Sequence, residues 1–139
     1  MAAEEPSCTE RWEAHKNSRI ASLREVFSSY QESSDEDSFP EYGLSFDYVA
    51  PGTWPDQNEA YWRYQTSWGG PSDEFRFYAS TPTSCCYRIE YRFMDWYTDW
   101  GDGRGEALEN KDLALMSEIW KWFVDVGSAA SEFEKAMEE

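Results

Sequence analysis

Acidic residues recur at short intervals in the last third of the chain. Asp95, Asp99 and Asp102 follow one another at spacings of three or four residues, and the pattern continues through Glu106 and Glu109. Carboxylates spaced along a surface can stand in for the phosphates of a nucleic acid and attract a basic protein. Together with a second acidic run and two tryptophans, they form the predicted partner-binding site: Asp35, Glu36, Asp37, Asp95, Asp99, Asp102, Glu106, Glu109, Trp96 and Trp100.

The same late segment offers hard oxygen ligands of the kind that Ca²⁺ takes. The EF-hand spacing fails, because Tyr97 stands at the third ligand position when Asp95 is counted as the first. We therefore expect neither a metal ion nor a cofactor.

Residues for nucleophilic catalysis are scarce. His15 is the one histidine, and it lies between Ala14 and Lys16 in a helical pattern, as a surface residue does. No nucleophile elbow, P-loop or dinucleotide-binding motif occurs. We predict that the protein is not an enzyme and has no catalytic residue. A small hydrolase or ligand-binding module remains an alternative, built on loop carboxylates and on Trp54, Trp96 or Trp100 stacking against a ligand.

The three cysteines are Cys8, Cys85 and Cys86. Adjacent cysteines rarely bridge each other, because the geometry of such a ring is strained. Their spacing matches no zinc site. We expect reduced thiols and a cytoplasmic protein.

Net charge is the strongest compositional signal. The chain of 139 residues carries 28 acidic and 12 basic side chains, a formal net charge of −16. Residues 31–62 hold eight acidic and no basic residues, and residues 93–139 hold twelve acidic and four basic ones. Residues 63–92 are nearly balanced, since four arginines there can pair across a sheet. This charge argues against direct binding to nucleic acid or to an anionic membrane, because the phosphate groups would be repelled, and it favours a basic protein surface.

Helical periodicity is present at both ends of the chain. Near the N-terminus, Trp12, Leu23 and Phe27 fall on one face of a predicted helix. A second helix is predicted from about Asn110 to Val126, with Gly127 at its C′ position, and a short tail helix over residues 131–137.

Four runs between the helices alternate large apolar and polar residues, as half-buried antiparallel strands do. They cover residues 42–49, 61–68, 74–79 and 86–94. Placing Trp68 opposite Phe75 and Thr66 opposite Phe77 puts the aromatic rows of the second and third runs on one face. Gly69 and Gly70 then serve as turn residues.

We predict a single α+β domain over residues 1–139, in which an N-terminal and a C-terminal helix pack on one face of a four-stranded antiparallel sheet. Its predicted parts are a tail and helix (1–30), an acidic linker (31–40), the sheet (41–97), an acidic Gly-rich loop (98–109) and C-terminal helices (110–139). The first residues, MAAEEPSCTE, lack the apolar stretch of a signal peptide, and no run approaches the 18 apolar residues of a membrane span.

The stretch FDYVAPGTW…YWRYQTSWGGPSDEFRFY…YRIEYRFMDWY, within residues 46–97, resembles short uncharacterised proteins carried by plasmids and phages. Small size, acidity and abundant aromatics are also similar to those of DNA-mimic antirestriction and anti-CRISPR proteins. No antirestriction signature motif is present, so no residue role is transferred. The resemblance implies a non-enzymatic inhibitor that binds a defence nuclease or a CRISPR effector complex in the bacterial cytoplasm.

Two other classes of protein are compatible with the same residues. An immunity protein that neutralises a toxin nuclease would use the same acidic surface on a different basic partner. A structural subunit would instead use exposed aromatic residues as a dimer interface. The sequence leaves the partner and the oligomeric state open.

Overall fold

The computed structural model describes residues 8–32, 43, 45–53, 57–67, 72–94 and 103–138. Within them the chain is α+β, with three helices and one antiparallel sheet of five strands. In chain order the elements are α1 (Cys8–Glu32), β1 (Ser45–Val49), β2 (Tyr61–Ser67), β3 (Ser72–Ala79), β4 (Cys86–Met94), β5 (Gly103–Ala107), α2 (Asn110–Asp125) and α3 (Ser128–Glu138).

The sheet has one more strand than the sequence predicts. The strands are ordered β1-β2-β3-β4-β5, each antiparallel to its neighbour. β5 lies within residues 98–109, so the expectation of a loop there and of a sheet ending at residue 97 is wrong. Its sequence, GRGEA, has no apolar alternation, and glycine has low strand propensity. Backbone pairing with β4 makes it a strand. The hydrogen bonding to β4 continues one residue beyond β5, where the Leu108 N–H donates to the Ile89 carbonyl at 2.8 Å.

The β2–β3 hairpin keeps the predicted face but not the predicted register. Phe75 pairs with Tyr64 and Phe77 with Trp62, four residues earlier in β2 than expected. A shift by an even number leaves each side chain on the same face, so the aromatic rows still share one side. The ladder is irregular between Gln65 and Ser67, and β3 begins at Ser72, within the segment predicted to be a turn.

Large side chains in register form one face of the sheet, which we call the inner face. One row across the strands is Phe46, Tyr64, Phe75 and Tyr91, and the next is Tyr48, Trp62, Phe77 and Ile89. These residues share a buried or partly buried cluster with side chains of all three helices, which include the predicted core residues Leu23, Phe27, Ile119, Trp120 and Phe123. The side chain of Trp12 lies outside the described part.

Ring contacts and one hydrogen bond join α2 and α3 to the inner face. The Phe123 ring stacks on Phe46 with centroids 3.9 Å apart, and Trp120 lies 5.4 Å from Phe77. The buried Trp62 indole N–H donates to the Ala129 carbonyl of α3 at 2.9 Å, which satisfies its one polar atom.

The predicted C-terminal helix is confirmed. α2 begins at Asn110 and ends at Asp125, and Gly127 adopts a φ of +88°, as a C′ glycine does. The tail helix begins three residues earlier than predicted, at Ser128. Near the N-terminus, α1 runs to Glu32, so the first two residues of the predicted linker 31–40 are helical.

Candidate functional site

Most of the predicted partner-binding residues lie outside the described part of the chain, as does Trp54. Two of them are described, Glu106 on β5 and Glu109 just before α2, and both are exposed. The predicted residues outside the described part are Asp35, Glu36, Asp37, Asp95, Trp96, Asp99, Trp100 and Asp102.

Glu106 and Glu109 share a polar cleft where α1 meets the junction of β5 and α2. The facing wall from α1 contributes Glu13 and Lys16, and Lys16 lies 3.5 Å from the Asp112 carboxylate. The cleft therefore mixes carboxylates with ammonium groups. Within the described ranges, no group of three or more side chains has the composition of a metal site.

The outer face of the sheet, which points away from the aromatic rows, is an array of arginines and acids. Arg63 on β2 forms two hydrogen bonds with the Asp47 carboxylate on β1, at 3.2 and 3.0 Å. Arg76 on β3 lies 2.7 Å from Glu74, whose side chain is almost fully buried. Strand register positions the first pair, because Asp47 and Arg63 are direct partners.

β4 completes the array. Arg88 bridges Glu59 and Glu90, with N–O distances of 3.0 and 2.9 Å, and Arg92 lies 3.3 Å from Glu90. All four arginines of the middle strands thus form ion pairs with four acids. The predicted pairing across the sheet is seen for Arg63, whereas Arg76 and Arg92 pair with an acid on their own strand, and Arg88 pairs with Glu90 on its own strand and with Glu59 before β2. The outer face of the described strands is therefore close to electrically neutral.

Tyrosine rings pack beneath two of these guanidinium groups. Arg76 lies 4.5 Å from the centroid of Tyr61, and Arg88 lies 4.0 Å from that of Tyr78. Burial lowers the pKa of Arg76, but the Glu74 carboxylate outweighs this effect and holds that pKa above its usual value. Partial desolvation and the hydrogen bond to Glu59 raise the pKa of Tyr87 to about 12, although the residue is 57% exposed.

The helices α2 and α3 together carry six acidic residues and three lysines. Exposed carboxylates begin at Glu109, just before α2, and continue through α3, and none of them forms an ion pair within the described part of the chain. We call this set the acidic helical surface: Glu109, Glu118, Asp125, Glu134 and Glu138. Seven residues separate Glu118 from Asp125, which puts them on one side of α2, about 10.5 Å apart along the axis.

Asp73 is a buried carboxylate that sequence reasoning assigned to a turn. It is 2% exposed and lies on β3 beneath α1. It accepts hydrogen bonds from Arg19 at 2.9 Å, Thr66 at 2.6 Å and Tyr91 at 2.6 Å. Burial raises the pKa of Asp73, but these donors and the Arg19 charge outweigh it and hold the pKa below its usual value. Asp73 lies two residues before Phe75 on the same face of β3, so extending the strand pattern by two residues would have placed it on the inner face, but not shown Arg19 as its partner.

His15, Cys85 and Cys86 also carry reactive groups. His15 is exposed, as predicted, and stacks on Phe93 with centroids 4.5 Å apart. Cys85 and Cys86 have free thiols. Burial raises the pKa of Cys86 to about 12, which makes its thiol unreactive near neutral pH.

No protein family, no curated protein and no solved structure matches the chain. Among the described helices, none combines the length and the apolar character needed to cross a membrane.

Proposed function

We propose that the protein is a non-enzymatic inhibitor that binds a basic, nucleic-acid-binding surface of another protein by mimicking phosphate. The target class is a CRISPR effector complex or a restriction enzyme, and the proposed setting is the cytoplasm of a bacterium that carries the encoding phage or plasmid. The protein would act without a cofactor and without contacting nucleic acid itself.

The observation that carries the proposal is the separation of charge between the outer sheet face and the helices. On the outer sheet face, each of the four arginines of the middle strands is neutralised by an acid within hydrogen-bonding distance. On α2 and α3, exposed carboxylates such as Glu118, Asp125 and Glu134 have no such partner within the described ranges. Excess charge that is gathered on one part of a surface steers a basic partner toward that part, which evenly spread charge does not do.

The mechanism is competition for a cationic groove. Carboxylates on a folded scaffold lose little conformational freedom on binding, so they can occupy positions that phosphates would take. The association rate should be high at low ionic strength and fall with added salt, because the attraction between exposed charges is screened. The predicted acids of residues 35–37 and 95–102 would extend the same surface.

The proposal also includes the arrangement of the helices on the sheet. Helices from both ends of the chain would cover one face of the sheet, and the acidic side of α2 and α3 would then point outward. The domain would present that convex acidic side to the partner, while the neutral outer sheet face stays out of the interface.

A cleavage assay tests the proposal directly. The protein is titrated into DNA-cleavage reactions of purified CRISPR effectors and type I restriction endonucleases. The double variant Glu118→Lys, Asp125→Lys is compared with Glu25→Lys, Glu32→Lys, which changes the net charge equally on exposed positions of α1. We expect inhibition that weakens at least ten-fold in the first variant and much less in the second.

Either of two results would contradict the proposal. Absence of inhibition across the panel would rule out the anti-defence role. Equal losses in the two double variants would mean that only total charge matters, and that α2 is not part of a specific surface. An immunity protein would behave differently, since it would protect cells from a toxin nuclease and leave the whole panel active.

A further inference from the structure

A small, mostly apolar pocket opens between the β3–β4 turn and α2. It encloses about 330 Å³, within the usual range of ligand pockets. Its apolar wall is formed by Trp120, Val124 and Cys86. We call it the turn pocket, and its remaining lining residues are Thr83, Ser84, Cys85, Ser117, Lys121 and Asp125.

The walls of the turn pocket are held in place by hydrogen bonds. The Trp120 indole N–H donates to the Ser84 carbonyl at 2.9 Å, which ties the turn to α2. Within the turn, Ser84 Oγ donates to the Thr81 carbonyl at 3.1 Å, and the Thr81 N–H donates to Ser84 Oγ at 2.9 Å. A pocket that is already formed gives up little entropy when it is filled, so one buried side chain can contribute strongly to affinity.

The charges beside the pocket indicate what kind of side chain would enter it. Ser117, Lys121, Val124 and Asp125 form part of its helical wall, and Glu118 is the next residue after Ser117 on α2. The carboxylates of Glu118 and Asp125 thus outnumber the one ammonium group, that of Lys121. A segment that inserts an apolar side chain here brings its flanking residues next to these two carboxylates. Basic flanking residues are therefore favoured, and a second copy of this chain is disfavoured, because each copy has a net charge of −16.

We propose that the turn pocket anchors the basic partner by receiving one of its apolar side chains, flanked by lysine or arginine. The inference rests on the proposed function and adds a specific contact to it. Tight interfaces concentrate their free energy in a few desolvated anchors surrounded by polar contacts. Here the apolar wall would supply the anchor, and the acidic helical surface would supply the polar surroundings and the steering.

The experiment uses two labelled peptides, KKLFKK and KKSSKK, whose binding is measured by fluorescence anisotropy. The full chain carries Cys8→Ser, so that Cys85 is the reactive thiol. Benzyl methanethiosulfonate then blocks the pocket: the Cys85 thiolate attacks the reagent, forms a mixed disulfide carrying the benzyl group, and releases methanesulfinate. Dithiothreitol reverses the block. A chain that also carries Cys85→Ser is treated identically as the matched control.

We expect KKLFKK to bind at least ten-fold more tightly than KKSSKK. The benzyl group should remove this difference, dithiothreitol should restore it, and the Cys85→Ser control should be insensitive to the reagent. Equal affinities of the two peptides before the block, or a preference for KKLFKK that survives the block, would overturn the inference.

The cleavage assay separates this inference from the proposed function. The blocked protein is compared with the double variant Glu118→Lys, Asp125→Lys. If the blocked protein still inhibits a nuclease fully while the double variant does not, the pocket has no role in inhibition, and the acidic helical surface still has one. If the protein inhibits no nuclease, yet KKLFKK binds with the expected preference, the pocket is an anchoring site and the target class is wrong.

Discussion

At the scale of single residues, Asp73 and Asp47 are two aspartates that contact arginine in different surroundings. The Asp73 side chain is 2% exposed and accepts hydrogen bonds from three residues, whereas Asp47 is 37% exposed and pairs with Arg63. Removing a buried charge leaves its partners desolvated and unpaired, while an exposed pair exchanges its contacts for water. The two residues should therefore differ sharply in their contribution to stability.

We expect Asp73→Asn to lower the free energy of unfolding by about 2–4 kcal/mol at pH 7, and Asp47→Asn by less than about 1 kcal/mol. The pKa of Asp73 is lowered in the folded state, so its stabilisation is present above the unfolded-state pKa and is lost as the pH falls through the folded-state value. The difference between wild type and Asp73→Asn should therefore shrink in acid. Urea unfolding at pH 7 and pH 3 measures it, and a difference that does not change with pH would contradict this assignment.

At the scale of elements, the end of α2 depends on one backbone conformation. Gly127 has a φ of +88°, a region that residues with a Cβ rarely adopt, and among the described residues no atom lies within 4 Å of the position that a Cβ would take. A substitution at this position would therefore report backbone strain without a steric clash. The helix end matters for function, because Asp125 and the start of α3 lie within three residues of Gly127.

We expect Gly127→Ala to destabilise the protein by about 1 kcal/mol, and Gly127→Asn by less, because asparagine tolerates the left-handed region better. Thermal unfolding of both variants measures the order. A loss for asparagine equal to or greater than the loss for alanine would show that something other than backbone conformation controls this helix end.

At the scale of the whole molecule, two electrostatic effects oppose each other. Self-repulsion from a net charge of −16 destabilises the compact state, and salt screens it. The ion pairs of the outer sheet face stabilise the fold. Salt screens the buried Arg76–Glu74 pair little, and it weakens the more exposed pairs, such as Arg63–Asp47, which contribute only about 0–1 kcal/mol each. Because the excess charge is large and these pairs are weak, repulsion should dominate.

We therefore expect the melting temperature to rise when NaCl is increased from about 0.05 to 0.5 M, by an amount equivalent to about 1 kcal/mol. Differential scanning calorimetry gives the direction, and KCl should act like NaCl if screening is the cause. A fall in melting temperature would mean that the arginine–acid array contributes more than self-repulsion costs.

The sequence by itself determined the elements whose periodicity is local. The nine-residue strand β4, the helix α2 and the position of Gly127 follow from alternation, from the spacing of Ile119, Trp120 and Phe123, and from glycine's freedom at positive φ. The common face of Trp62 and Phe77 follows as well, since a period of two sets the side of each residue whatever the register. The net charge of −16 follows from the amino-acid composition alone.

Only the tertiary structure decided what depends on distant partners. The strand β5 has no apolar pattern of its own and exists because β4 pairs with it. Asp73 resembles a turn residue until Arg19, from 54 positions earlier in the chain, donates to it. The turn pocket likewise needs Ser84 and Trp120, 36 positions apart, to meet. Long-range contacts such as these depend on how whole elements pack, so they cannot be predicted from the residue pattern of a short segment.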